Sequence, residues 1–119
     1  RIPRLMDEIT VPVVKYILEK GENIIYVRPS PDKETIENIH HAVKQYPEYT
    51  FVVIRLEAEY QTMLSRALER HDPYRIPSKE TLDEYLGQRT VANIDGEYII
   101  KTDNTTPEEI AKKIEEILI

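Results

Sequence analysis

Apolar residues recur along the chain in blocks, some at helical spacing and some in unbroken runs. The first block, from Thr10 to Leu18, predicts a helix over about residues 8–20, with Pro12 tolerated in its first turn. The next run, Asn23 to Arg28, is rich in strand-forming residues and predicts a strand. The chain is therefore expected to begin with a helix followed by a strand.

A second helix and strand follow. The helix is predicted to start at Ser30 and to stop at Pro47, with apolar residues on one face. Phe51 to Ile54 is an unbroken run of β-branched and aromatic residues, which is typical of a strand covered on both faces. We therefore predict a central strand from Thr50 to Ala58, in a parallel sheet.

The helix predicted after this strand carries two stripes of residues. One stripe is apolar, whereas Thr62, Arg66 and Arg70 lie four residues apart on another. We therefore expect the arginines to face away from the apolar stripe. Residues 71–77 contain two prolines and Arg75, and they predict a loop. We expect Arg66, Arg70 and Arg75 to converge on one side of this loop.

A short helix and a last strand are predicted next. Ser78 begins the short helix and Gly87 terminates it. Asp95-Gly96 predicts a tight turn between two apolar runs. These runs either pair as a hairpin or leave only the second as a full strand, and we favour a last core strand from Tyr98 to Lys101.

The closing helix has the clearest local signal. Thr106 is the predicted N-cap, Pro107 is the first helical residue, and Glu109 completes a capping box ahead of apolar residues that would lie on the sheet. The alternation of helices and strands predicts an α/β fold with a parallel sheet and right-handed crossovers. We expect one domain over residues 1–119, or the C-terminal part of a larger one.

Composition narrows the classes of function. The 119 residues carry 16 Lys and Arg against 22 Asp and Glu, a net charge of −6, so that any anion site must be local and nucleic-acid binding is not favoured. The absence of cysteine excludes a disulfide framework, a zinc-thiolate site and a cysteine nucleophile. No apolar run reaches the roughly 20 residues of a membrane span, and we expect a cytoplasmic protein without a membrane partner.

Three motifs, in this order, resemble the C-terminal half of a P-loop kinase of the nucleotide, small-molecule or polynucleotide type. They are Val53-Ile-Arg-Leu-Glu-Ala58, Ser65-Arg-Ala-Leu-Glu-Arg70 and Ile99-Ile-Lys-Thr-Asp-Asn-Thr-Thr-Pro-Glu-Glu109. The resemblance implies part of a P-loop-NTPase-like three-layer α/β/α domain. It also implies a phosphotransferase that uses ATP and Mg²⁺ and acts on a nucleotide, a nucleic-acid end or a phosphorylated small molecule.

The same resemblance implies roles for seven residues. Catalytic lid arginines would clamp phosphate oxygens during transfer, and these are Arg66, Arg70 and Arg75. Arg28 would lie at the carboxyl end of its strand, where open α/β sheets bind ligands. The nucleotide would lie near the turn formed by Asp103, Asn104 and Thr105.

A phosphate-binding loop of the form G-x-x-x-x-G-K-[ST] does not occur in the sequence, whose three glycines are isolated. The strand at Ile24 to Val27 is followed by Arg28-Pro29, where many P-loop kinases carry a magnesium-binding aspartate. The chain begins with Arg1 rather than methionine, and we expect the loop upstream of it if the chain is a kinase. Without that loop no cofactor is expected, and the alternative is a non-catalytic Rossmann-like binding or protein-interaction module, with a homo-oligomer left open.

Simpler explanations exist for the polar residues. Arg66 and Arg70 also suit a solvated helix face, and His71 beside Asp72 suits the end of a helix better than a general base. His40 and His41 are expected to be structural, because no partner residues for a metal are found and no metal site is predicted.

Overall fold

A computed structural model describes residues 2–28, 32–70, 78–88 and 93–119, with the side chains of the first helix described from residue 8 onward. In chain order the elements are α1 (Ile2–Glu19), α2 (Lys33–Val43), β1 (Ile54–Glu57), α3 (Tyr60–Glu69), α4 (Lys79–Gln88), β2 (Tyr98–Lys101) and α5 (Pro107–Leu118). The described part is therefore a mixed fold of five helices with a small two-stranded parallel sheet.

The chain divides into two compact units, the first formed by Arg1–Phe51 with Thr90–Ile94, and the second by Val52–Arg89 with Asp95–Ile119. In the first unit α1 packs on α2. The core consists of apolar residues from both helices: Val14, Leu18, Ile39 and Val43. Phe51 packs against this core and stacks on His40 with ring centroids 4.6 Å apart, a contact that fits a structural histidine. Tyrosines line its margin, as at Tyr49, whose hydroxyl donates to the Glu22 carbonyl at 2.9 Å.

Two predictions for this unit are wrong. The helix begins at Ile2 rather than near residue 8, so that Thr10 is not its cap and Pro12 lies inside it. Residues 22–28 are not a strand, because no described residue pairs with their backbone as a neighbouring strand would. Ile24 packs on the core, whereas Ile25 is 88% exposed and Val27 85% exposed.

In the second unit β1 and β2 form a parallel pair in which Ile54 pairs with Tyr98 and Glu57 with Lys101. The second strand has the predicted bounds, and the described residues form no hairpin after the turn at Asp95-Gly96. In contrast, β1 is not the predicted central strand from Thr50 to Ala58. It has four residues, and among the described residues only β2 borders it.

The helices of the second unit agree well with prediction. α4 ends at Gln88, one residue after Gly87, and buries Leu82. α5 begins as expected, with the Thr106 hydroxyl accepting the Glu109 N–H at 3.2 Å. However, no residue of α5 is fully buried, and its apolar stripe is only half-buried. No helix in the part of the chain that the structure describes is both long and apolar enough to cross a membrane.

Candidate functional site at the carboxyl ends of the strands

The two parallel strands end side by side, and each leads into a helix. Ala58 and Glu59 connect β1 to α3, and residues 102–106 connect β2 to α5. Parallel α/β sheets bind ligands outside the carboxyl ends of their strands, where helix N-termini also supply partial positive charge. We therefore expect a ligand of the second unit to bind at this edge.

Thr102 joins the two strand ends to α3. Its N–H and its hydroxyl both donate to the Glu57 carbonyl, at 2.7 and 3.1 Å. The Arg66 guanidinium donates to the Thr102 hydroxyl at 2.9 Å and to the Thr102 carbonyl at 2.6 Å. Thr105 donates to the same carbonyl at 2.9 Å. Thr102 is buried, and these bonds satisfy its polar atoms.

Asp103 holds the start of α3. One of its carboxylate oxygens accepts the Glu59 N–H at 2.9 Å and also the hydroxyl of Thr62. The Thr62 hydroxyl, followed by the Glu59 N–H, lowers the pKa of Asp103, because both stabilise the ionised carboxylate. An anionic acceptor at the first turn of a helix is also favoured by the helix dipole.

Asn104 forms the tip of the turn between β2 and α5. Its φ of 54° lies in the left-handed region, which asparagine tolerates better than most residues do. The residue is exposed, whereas its neighbours Asp103 and Thr105 are half-buried and hydrogen-bonded inward. Of the three predicted nucleotide-binding residues of this turn, Asn104 alone has its side chain outside this network.

The predicted lid arginines have different surroundings. Arg66 is exposed but bonded to Thr102, so the polar stripe of α3 contacts the turn after β2 as well as solvent. Arg70 caps the end of α3 and is exposed, without a hydrogen bond or ion pair among the described residues. Arg75 lies outside the described residues, as do His71 and Asp72. The convergence of the three arginines therefore stays a prediction.

Arg28 belongs to the first unit. It is half-buried, and its guanidinium donates to the Tyr26 hydroxyl at 3.4 Å. Residues 22–28 do not form a strand, so that Arg28 does not lie at the carboxyl end of one. Its nucleotide-binding role stays a prediction that depends on the resemblance alone.

A second polar cluster joins α3 to α4. The Tyr60 hydroxyl donates to the Asp83 carboxylate, which also accepts from the Lys79 ammonium at 3.0 Å. The bond to Asp83 raises the pKa of Tyr60, and the bonds from Tyr60 and then Lys79 lower the pKa of Asp83. A tyrosine with a raised pKa stays protonated near neutral pH, which favours a structural role for this cluster.

Thr62 and Thr102 are part of the site although the sequence did not single them out as site residues. Signals for both exist in the sequence. Thr62 lies one turn before Arg66, on the stripe already singled out, and Thr102 follows directly after the last strand, where short polar side chains bond to nearby backbone.

Comparisons of the chain with protein-family models, with curated proteins and with solved structures find no match. Within the described ranges, no three histidine, aspartate or glutamate side chains come together as metal ligands. The edge therefore offers the Arg66 guanidinium beside a turn held by Thr102 and Asp103, and Arg70 lies one turn further along α3.

Proposed function

We propose that this chain is the C-terminal part of a cytoplasmic, P-loop-kinase-like phosphotransferase, with the three-layer α/β/α fold of that class. It contributes lid arginines and part of the nucleotide site, and its substrate is a nucleotide, a nucleic-acid end or a small molecule. One observation supports the proposal above others. The guanidinium of Arg66 is held at the carboxyl ends of two parallel strands, where sheets of this kind bind ligands.

The two arginines of α3 have different roles in this proposal. Arg66 donates two hydrogen bonds to Thr102 and thereby fixes the turn beside the nucleotide. Arg70, one turn later, has a guanidinium with no partner among the described residues. A planar guanidinium binds two phosphate oxygens at once, and it stabilises charge that spreads over the transferring group. Arg70 is therefore the residue of α3 best suited to contact phosphate.

The fit to ATP and Mg²⁺ is partial. Arg70 fits a phosphate group, and ATP would supply the phosphoryl group. No cluster of described residues fits Mg²⁺, so the ion would be held by other residues. Asp103 is committed to Glu59 and Thr62 and does not serve as a base here. The phosphate-binding loop itself belongs upstream of Arg1 in this proposal.

The test uses the protein expressed from its complete gene. We expect Arg70→Ala to lower the rate of ATP-dependent phosphoryl transfer at least tenfold while its melting temperature stays within about 2 °C. Arg70→Lys retains the charge but not the fork, and we expect an intermediate rate. Lys112→Ala, an exposed cation on α5, is the matched control. A rate unchanged by Arg70→Ala would reject the lid role.

A second candidate function is a non-catalytic interaction module. The observation that favours it is an apolar stripe on α1, where Ile9, Val13 and Tyr16 are each more than half exposed. These residues lie four and three positions apart, on a face other than the one that packs on α2. This candidate predicts no heat on titration with ATP and Mg²⁺. A calorimetric signal that Arg70→Ala removes would argue against it.

A further inference from the structure

The edge of β1 that faces away from β2 borders no other strand among the described residues. The Val53 and Glu57 carbonyls accept the N–H groups of Tyr98 and Thr102. Because successive residues of a strand direct their peptide groups to opposite edges, those of Ile54 and Leu56 point away from β2. No described residue supplies a backbone partner to them. Such an edge is a template for another strand unless it is covered.

The two faces of β1 carry different chemistry. Ile54 and Leu56 share one face, and Leu56 is 53% exposed. Arg55 and Glu57 share the other, where their charged groups are 3.8 Å apart and the Glu57 side chain is 39% exposed. A strand that binds this edge must therefore offer an apolar residue on one face and charges on the other.

We propose that the edge of β1 that faces away from β2 pairs with β1 of a second copy of this chain, in antiparallel orientation about a two-fold axis at Leu56. The strand is complementary to itself in this register. Leu56 lies opposite Leu56 of the second copy, and Arg55 lies opposite the second copy's Glu57 on each side of the axis. The result is a dimer with a continuous four-stranded sheet, in the order β2-β1-β1-β2.

Strand geometry agrees with this register. In an antiparallel ladder, residues that direct their peptide groups to the shared edge form hydrogen-bonded pairs. The residues between them form non-hydrogen-bonded pairs, whose Cα atoms are closer, about 4.5 Å apart. Leu56 belongs to the first kind and Arg55 and Glu57 to the second. The opposite charges therefore meet at the close positions, where cross-strand pairs interact most strongly. A two-fold axis also closes the assembly at two copies, because each contact occurs twice.

The outer edge of β2 is a poorer candidate. It carries Lys101, a residue type typical of protected edges. Glu97, the acidic residue that would face Lys101 in a paired copy, is almost buried and holds Arg55 at 3.0 Å. Pairing through β2 would have to break this contact, whereas pairing through β1 leaves it in place.

The first experiment measures the mass of the 119-residue chain in solution by light scattering over a range of concentrations. We expect a concentration-dependent rise from 14.0 kDa to twice that value. Leu56→Lys places two ammonium groups face to face at the axis, and we expect it to raise the dimer dissociation constant at least tenfold. Ile99→Lys, an equally exposed position on β2, is the matched control and should leave the dimer intact.

The second experiment tests the register. The chain has no cysteine, so that Leu56→Cys introduces a single thiol. Hydrogen-bonded antiparallel pairs place Cα atoms about 5.5 Å apart, and their Cβ atoms are farther apart than a disulfide prefers, so that a short bifunctional thiol reagent is used to bridge the two cysteines. We expect this reagent to cross-link the Leu56→Cys variant to a dimer, and Ile99→Cys to remain mostly monomeric.

Three results would overturn the proposal. They are a monomer at every soluble concentration, a dimer that Ile99→Lys dissociates while Leu56→Lys does not, and a Leu56→Cys variant that cross-links no faster than Ile99→Cys. None of these results bears on phosphoryl transfer, so this inference and the proposed function fail or stand separately.

Discussion

Arg66 donates two hydrogen bonds to one residue, Thr102, reaching its hydroxyl at 2.9 Å and its carbonyl at 2.6 Å. The pair ties α3 to the end of β2, and Thr102 in turn bonds to the Glu57 carbonyl at the end of β1. A single arginine thus connects three elements of the second unit. The residue for which the resemblance implies a phosphate contact therefore also has a structural contact within the second unit.

We therefore expect Arg66→Ala to lower the free energy of unfolding by about 1–2 kcal/mol, because it removes charged donors from a buried residue while solvent competes for part of the gain. Arg70→Ala should change the same quantity by less than about 0.5 kcal/mol. Urea denaturation of both variants measures the difference. Equal effects of the two substitutions would contradict the separate roles assigned to these arginines.

The lowered pKa of Asp103 makes the free energy of unfolding depend on pH in the acid range. Its pKa in the folded chain lies below the ordinary value of 3.8, so the folded state favours the ionised carboxylate. The resulting stability is present above pH 3.8 and is lost as the pH falls through the folded-state pKa. Asp103→Asn keeps an acceptor for Thr62 but does not titrate. We expect urea titrations between about pH 2 and pH 5 to show a smaller loss of stability for this variant.

Asp83 also has a lowered pKa, so the Asp103→Asn variant should still lose some stability in acid. Asp95→Asn removes a carboxylate at the exposed turn before β2 and is the control. A slope for Asp103→Asn that matches the parent chain would show that the bonds to Thr62 and Glu59 do not favour the charged form.

The parts of the fold that the sequence predicted well are those set by local chemistry. The capping residues of α5 act within one turn of helix, and the described bounds of β2 agree with the run after Asp95-Gly96. The turn itself is confirmed, with φ of 79° at Gly96, a conformation that residues with a Cβ rarely adopt. Helices α3 and α4 likewise follow from their spacing and from the breaks around them.

The parts that were wrong depend on distant partners. Residues 23–28 have strand-forming side chains, but a strand needs a neighbour for its backbone, and the described residues supply none. β1 was expected in the centre of a sheet because its apolar run suits two covered faces, whereas within the described ranges it borders β2 alone. The same holds for the site. The sequence pointed to Arg66 from its local spacing, but it did not predict the contact with the distant residue Thr102.

The bond from Tyr60 to Asp83 links α3 to α4 across the undescribed residues 71–77. Removing either partner should destabilise the second unit, and removing both should cost less than the sum of the single effects. A double-mutant cycle with Tyr60→Phe and Asp83→Ala, followed by urea denaturation, measures this coupling. We expect it to exceed the coupling of Lys79 with Asp83, which is a neighbouring exposed pair on one helix. Additive effects would show that the hydroxyl bond contributes nothing.

The N-cap of α5 gives a final prediction. The Thr106 hydroxyl accepts the Glu109 N–H, and α5 has no fully buried residue to compensate if that bond is lost. We expect Thr106→Ala to lower the free energy of unfolding by about 1 kcal/mol and to reduce helical circular dichroism before the main transition. Thr106→Asp should retain the stability, because a carboxylate accepts the same N–H and suits the helix dipole. Lys112→Ala, at an exposed position within α5, is the control, because alanine favours a helix interior at least as well as lysine does and no loss is expected. A similar loss in that variant would show that the effect is not specific to the cap.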